Sequence, residues 1–377
     1  MLSPPETSPF RTFSAPGRIN LIGDHTDYNG GFALPAAIDM ATSVTIAPRA
    51  DRRLSASAEK FPGVVEFAIG VEPLRRGDWG DYVAGVAWIL QGAGLALQGG
   101  NLHIASDVPL GAGLSSSAAL EVAVALALLG ISDIEMDRRK LASLCQRAEN
   151  DFVGVRCGIM DQLTACMGRP DHALLLDCRS LEIKYLPIPA QVRLAVCNSM
   201  VKHNLASGGY NQRRAECDEA VAALSRFLPN VTQLRDVSLE ELERNSSSLS
   251  ATAFRRCRHV VSENQRTLAA AEALGRNDVA GLGPLMNESH RSLRDDYEVS
   301  CAELDILVEL AQSHAGVYGS RMTGGGFGGC TISVVDESAI ESFQQAVREG
   351  YARRTGVMCE IYICQAAAGA REEVSAQ

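Results

Sequence analysis

The chain has 377 residues, more than one small core usually organises, so two domains of ordinary size are expected. With 46% hydrophobic and 21% charged residues, the composition is that of a globular protein and excludes a disordered or fibrous one. A formal net charge of -10 without any dense Lys/Arg run argues against nucleic acid as a partner, so a polyanionic ligand must be small and locally caught.

Along the chain, MLSPPETSPFRTF carries no basic stretch followed by an apolar one, and the most apolar helix, 118–129, is too short to cross a bilayer. The eleven cysteines are scattered and never spaced C-x-x-C, which suggests neither a disulfide framework nor a structural zinc site. A cytoplasmic protein with reduced thiols and no membrane contact is expected. Alternating apolar runs predict strands at 18–22, 42–47, 64–69, 102–106 and 173–176, with helical patterns between some of them. The two prolines of LPIPAQ (186–191) resist helix and central strand and predict a domain joint. Beyond it come a strand at 192–197, helices at 211–228, 252–274 and 302–313, then strands 331–335 and 360–364 around a helix at 339–351. The reading is an α+β protein of two domains, 1–188 and 189–377, with no fixed repeat.

VPLGAGLSSSAALEVAVALA (108–127) joins a glycine-broken, hydroxyl-rich mouth to an apolar helix interrupted by one charge, Glu121. A helix N-terminus offers unpaired N–H groups and a positive dipole end, and glycines let a phosphate approach the backbone. Gly111, Gly113, Ser115, Ser116 and Ser117 meet that need. This is no Walker A loop, since the lysine is missing, and Ser116 stands where G-x-G-x-x-G requires glycine. A metal ion held by a serine hydroxyl could supply the cation; a plain serine cap on a core helix is the competing account. Glu149, in RRKLASLCQRAENDF, lies at the edge of an apolar stripe through Leu141, Leu144, Cys145, Ala148 and Phe152. Such a carboxylate needs either a basic partner or a cation.

APGRINLIGDHTDYNGG (15–31) reads as a Pro-Gly turn, a short strand carrying Arg18, and a cluster of Asp24, His25, Thr26, Asp27 and Tyr28 before an Asn-Gly turn. Rigid carboxylates and imidazoles suit a hydroxyl-rich ligand such as a sugar, though an exposed hairpin loop would look the same. Arg18 among apolar neighbours needs an anion to face. Asp161, in CGIMDQLTACMG, falls in the first turn of a helix starting after Gly158, as a catalytic acid group or as a helix-stabilising one. GSRMTGGGFGGCTISVV (319–335) contains G-x-G-x-x-G, but its glycines lead into a strand, the reverse of a dinucleotide fingerprint.

Taken in order, these three motifs resemble the GHMP kinase superfamily and, within it, the galactokinase family; the likeness also runs through 148–182, VKHNLASGGYNQRRAEC and ESHRSLRDDYEVSCAELD. The resemblance implies an N-terminal domain like the second domain of ribosomal protein S5, an α+β C-terminal domain, and an active site between them. It implies transfer of the γ-phosphoryl of ATP to the C1 hydroxyl of α-D-galactose, with Mg²⁺. By position, Asp161 would be the catalytic base and Arg18 the transition-state stabiliser. Asp24, His25, Thr26, Asp27 and Tyr210 would bind the sugar. Gly111, Ala112, Gly113, Leu114, Ser115, Ser116 and Ser117 would hold ATP phosphates, Ser117 and Glu149 the metal, and Trp79 would lie against the adenine. Two departures stand out. Asp24 replaces the family's usual Glu, which predicts a looser contact at the sugar C6 hydroxyl or an added water. Ser207, Gly208 and Gly209 replace Ser-Ser-Glu before Tyr210, which predicts a more mobile loop. A related sugar 1-kinase acting on N-acetylgalactosamine, arabinose or galacturonate, and a catalytically silent galactose and ATP sensor, are the alternatives; no obligate protein partner is expected.

Overall fold

The computed structural model describes residues 10–202 and 206–373; the N-terminal residues 1–9 lie outside it, and with them most of the stretch tested for a leader. The first half comprises β1 (Arg11–Asn20), β2 (Phe32–Ala33), β3 (Pro35–Arg49), β4 (Arg53–Ala58), β5 (Phe61–Ala68), α1 (Gly80–Gly92), β6 (Gly99–Ser106), α2 (Ser116–Ile131), α3 (Arg138–Arg147), α4 (Met160–Met167), β7 (His172–Asp177) and β8 (Ile183–Pro187). The second comprises β9 (Val192–Lys202), α5 (Ala206–Leu224), α6 (Leu239–Arg244), α7 (Ala251–Gly275), α8 (Val279–Asp295), α9 (Ala302–Gln312), β10 (Val317–Thr323), β11 (Gly328–Asp336), α10 (Ile340–Thr355), β12 (Glu360–Cys364) and β13 (Arg371–Glu373).

The large sheet runs β13-β1-β3-β6-β4-β5, and α2 lies across β1 and β3. Its helix has no polar stripe: Val122, Ala123, Val124, Ala125, Leu128 and Leu129 are all buried, so it is covered on every side. A four-stranded sheet runs β10-β11-β9-β12, with α8 and α9 packed on β10. Ile188–Gln191 link β8, at the edge of a third sheet ordered β2-β7-β8, to β9 of the four-stranded sheet. The chain nevertheless returns: Thr12 of β1 pairs with Glu373 of β13, which places 371–373 on the first half's sheet. A shared apolar seam joins the halves, with Ile19, Leu34, Val108 and Leu114 from one side against Val196, Leu282, Met286 and Ile332 from the other.

Two elements differ from the sequence reading for clear reasons. Pro16-Gly17 is not a turn but a bulge inside the continuous strand β1, where pairing with β3 shifts between Pro16 and Arg18. Helix α8 has no clean helical pattern in sequence, because Gly281, Gly283 and Pro284 sit in its first two turns. It forms because Asp278 caps it by accepting from the Gly281 N–H at 2.8 Å and because Val279, Leu282, Met286 and Leu293 bury one face.

Gly283 also lets α8 touch the sheet backbone. A Cβ there would lie 1.9 Å from the Tyr318 carbonyl oxygen, and backbone cannot yield as a side chain would. Gly283→Ala is therefore expected to cost about 1–3 kcal/mol or more, read as a lower urea midpoint with an unchanged slope.

Candidate active site

The bulge at Gly17 sets the site's first residue. A Cβ on Gly17 would approach the Leu114 carbonyl oxygen to 2.8 Å, so only glycine lets β1 pass this close to the loop before α2. Just beyond it, the Arg18 N–H donates to the Leu114 carbonyl at 3.0 Å, and the side chain turns into the interior, 5% exposed. Its Nε and Nη2 donate to Oδ1 and Oδ2 of Asp161 at 2.8 and 2.7 Å, and Nη1 donates to the Gly113 carbonyl at 2.6 Å. The guanidinium thus finds the anion its apolar surroundings require, in the bidentate form that fixes both partners.

The loop before α2 is shaped by positive φ angles at Gly111 (66°), Gly113 (77°) and Ser115 (59°). Ser115 occupies the helix N-cap but makes no side-chain cap; its hydroxyl donates to Oδ2 of Asp161 instead. The serine-cap account is thereby set aside. The glycine-rich hairpin between β10 and β11 lies against this loop, since a Cβ on Gly324 would meet the Gly113 carbonyl oxygen at 3.0 Å and one on Gly329 the Ala112 oxygen at 3.3 Å. Ser117 lies one residue inside α2, near enough to the Glu149 carboxylate for its hydroxyl to oppose the upward push of burial there. Glu149 does not sit on a regular α-helix: α3 passes into a π-turn at Ala148–Val153, which delivers the carboxylate to the cleft.

The Asp24–Asp27 loop folds back on itself through the Thr26 hydroxyl, which donates to the carbonyls of Gly23 (2.8 Å) and Phe32 (2.7 Å). It is braced by α7, where Glu263 Oε1 accepts from the Gly23 N–H at 3.0 Å and Asn264 Oδ1 from the Phe32 N–H at 2.9 Å. Asp24 forms a fully buried ion pair with Arg321 at 2.5 Å. Burial pushes the Asp24 carboxyl up, and the Arg321 charge opposes it. Burial drives His25 well below the usual imidazole range, so it is neutral; its Nδ1 lies 2.8 Å from the Tyr28 hydroxyl.

All of this converges on one cleft of about 260 Å³ lined by Arg18, Asp24, His25, Asp27, Gly111, Gly113, Ser115, Ser116, Ser117, Glu149, Asp161 and Tyr210. Three families match by sequence pattern: the GHMP kinases N terminal domain over residues 81–169, the GHMP kinases C terminal region over 270–353, and the galactokinase galactose-binding signature over 5–48. The galactokinase of Roseiflexus sp. (strain RS-1) is 51% identical over 94% of this chain and 91% of its own length. The chain belongs to the galactokinase family of GHMP kinases. The galactokinase of Haemophilus influenzae (strain ATCC 51907 / DSM 11121 / KW20 / Rd) is 44% identical over 96% of this chain and 94% of its own. The crystal structure of Lactococcus lactis galactokinase complexed with galactose superimposes with a TM-score of 0.94 at 38% identity, covering 97% of this chain and 95% of that one. Methanococcus jannaschii mevalonate kinase, at 17% identity and a TM-score of 0.67 over 97% of this chain, shares the fold alone. The α+β, two-domain GHMP kinase architecture is established by these likenesses.

Three of the expected site residues do not line the cleft of this galactokinase-family chain. Thr26 is fully buried and spends its hydroxyl on the turn, while Ala112 and Leu114 turn their side chains into the shared seam. Trp79 stacks on Phe61, ring centroids 6.0 Å apart, beside an apolar recess that also takes in Ser116. Gly209 has a packing cause: a Cβ there would stand 2.7 Å from the Phe327 ring, whereas Gly208 faces open space. Sequence reasoning missed Arg321, Gln162 and Cys157, although the Cys157 thiol lies 3.4 Å from Glu149 Oε2. None stands out in sequence: Arg321 sits among Gly319, Ser320 and Thr323, and its partner Asp24 is 297 residues away.

Four carboxylates and one guanidinium line the cleft. Burial first, then the Asp161 charge, pushes Glu149 up, and the same two causes push Asp27 up to about 6. An acid raised in the folded state holds its proton where the unfolded chain has lost it, so stability falls as pH rises between the usual Asp value and about 6. Asp27→Asn removes that ionisation. In the ligand-free protein, the variant's thermal midpoint relative to the parent is expected to rise from about pH 4.5 to about pH 7; a constant difference would show that Asp27 titrates normally.

Proposed function

We propose that this chain transfers the γ-phosphoryl group of ATP to the C1 hydroxyl of α-D-galactose, giving galactose 1-phosphate and ADP. The observation that carries the reading is the bidentate Arg18–Asp161 pair, set between a hydroxyl-lined helix entrance and a loop of sugar-suited side chains. Asp24, His25, Asp27 and Tyr210 hold and orient the sugar hydroxyls, Asp27 as an acceptor and neutral His25 as a donor or acceptor by tautomer. Gly111, Gly113 and Ser115 to Ser117 present backbone N–H groups and hydroxyls to the phosphates at the N-terminus of α2. The apolar recess beside Phe61 and Trp79, adjoining Ser116, receives the adenine.

At the reacting centre, an Asp161 oxygen accepts the proton of the C1 hydroxyl as that oxygen bonds to the γ-phosphorus and the bond to the ADP oxygen breaks. Arg18 holds Asp161 in place and sets its own charge beside the equatorial oxygens in a loose transition state, where positioning and charge outweigh base strength. Mg²⁺ fits the remaining donors: the surplus of carboxylates over guanidinium faces a polyanion, and Ser117 and Glu149 offer a hydroxyl and a desolvated carboxylate side by side. When bound, the ion would neutralise charge on the β- and γ-phosphates. The division of roles between residues 1–188 and 189–377, with ATP on the first, is part of the proposal. So is a cytoplasmic location without an obligate partner, supported by eleven free cysteines among the described residues. No helix among them is long and apolar enough to cross a membrane.

Coupled ADP release over a panel of galactose, N-acetylgalactosamine, arabinose and galacturonate tests the assignment; galactose is expected to turn over fastest, and no turnover would refute it. Asp161→Asn keeps shape and loses the proton acceptor, so kcat should fall about 100- to 10,000-fold while calorimetric galactose affinity changes far less.

A further inference from the structure

The charge that interrupts the apolar run of α2 has no part in the reading above. Glu121 is fully buried and one helical turn beyond Ser117, so the two residues share a face of α2. Its Oε2 accepts from Gln162 Nε2 at 3.0 Å, while its Oε1 has no hydrogen-bond partner among the described residues. The same Gln162 nitrogen donates to Glu149 Oε2 at 2.7 Å. The nitrogen thus reaches both carboxyls, with the Cys157 sulfur farther off at 3.8 Å, while the amide oxygen has no hydrogen-bond partner among the described residues. Turning the amide over would set its oxygen against Glu149 Oε2 in place of a donor. Glu149 Oε2 is thereby held by the Gln162 amide, with the Cys157 thiol 3.4 Å from the same oxygen. Gln162 directly follows Asp161 on α4, so adjacent residues serve the two ends of the cleft.

A carboxyl with one open oxygen in an apolar core costs the fold stability that a leucine would not. Packing therefore gives no reason for Glu121, but orientation does. We propose that Glu121 and Gln162 are positioning residues: Glu121, acting through the Gln162 amide, holds the Glu149 carboxylate in the rotamer that accepts the nucleotide's divalent cation. This rests on the reading in which Ser117 and Glu149 hold that cation.

The test separates stability from metal affinity. Binding of Mn²⁺ to the full chain with ADP is followed by electron paramagnetic resonance, beside thermal midpoints, for the parent and for Glu121→Leu, Glu121→Gln, Gln162→Leu and Glu149→Gln. Glu121→Leu is expected to keep or raise the midpoint yet weaken Mn²⁺ binding about 10- to 100-fold, as loss of an outer support does. Glu121→Gln, which keeps an acceptor oxygen for Gln162, should retain most of the affinity, and Gln162→Leu should lose it whether or not the leucine at 121 folds. Parent-like affinity in both leucine variants, with Glu149→Gln impaired, overturns the inference alone. Affinity that falls only in step with the midpoint also overturns it. Parent-like affinity in Glu149→Gln refutes the metal reading itself, and the inference with it.

Discussion

The two hydrogen bonds between Arg18 and Asp161 hold together segments that are 143 residues apart in sequence. Their strength comes from place. Arg18 is nearly dry, and its third nitrogen is committed to the Gly113 carbonyl, so the guanidinium has no freedom to turn away. The pair registers β1, the loop before α2 and the start of α4 against one another at the cleft. A displacement of any one would be felt as a broken charge pair in a water-poor cleft, which is far costlier than a lost surface contact.

A second constraint comes from across the domain seam. Helix α7 turns His259, Glu263 and Asn264 toward the Gly23–Phe32 loop, and each bonds to its backbone: His259 Nε2 to the Asp24 carbonyl at 3.1 Å, Glu263 to the Gly23 N–H, Asn264 to the Phe32 N–H. Arg266 and Ser289 pair with Glu263, and with Arg321 nearby they pull its carboxyl down to about 2, against burial. The loop's strained angles, φ 93° at Gly23 and 63° at His25, are thus held by partners outside the loop. The geometry of this loop in the first half therefore depends on side chains of the second.

Much of this was legible in the sequence, and the reason is local. The glycine-serine mouth, the Asp-His-Thr-Asp cluster and the GIMDQ turn each combine backbone-permissive residues with chemistry-bearing ones in a short span, and the structure brings all three to one cleft. Strands β9, β11 and β12 and helices α7 and α9 followed from period alone. What failed to show was relational. Pro16-Gly17 reads as a turn unless the neighbouring Leu114 carbonyl is known to need the space. Thr26 reads as a ligand contact until its hydroxyl is seen closing its own loop. Helix α8 is hidden by Gly283 and Pro284, because the close approach to β10 that demands glycine has no sequence signature.

The same distinction explains why the cleft tolerates so much like charge. Asp24, Asp27, Asp161, Glu149 and, behind them, Glu121 crowd a volume in which two arginines provide the positive charge, Arg18 and the fully buried Arg321. Each arginine is already committed to an aspartate, Arg18 to Asp161 and Arg321 to Asp24, so neither can neutralise Glu149 or Asp27. Burial then lifts the two unpaired acids toward neutrality, the response of a carboxyl that water no longer solvates. Such a site gains more from a cation-bearing ligand than a balanced one would, because the ligand restores charge to groups the fold has left uncompensated. The cost of burying those acids is thereby concentrated in the cleft, where Arg18 and Arg321 are already taken.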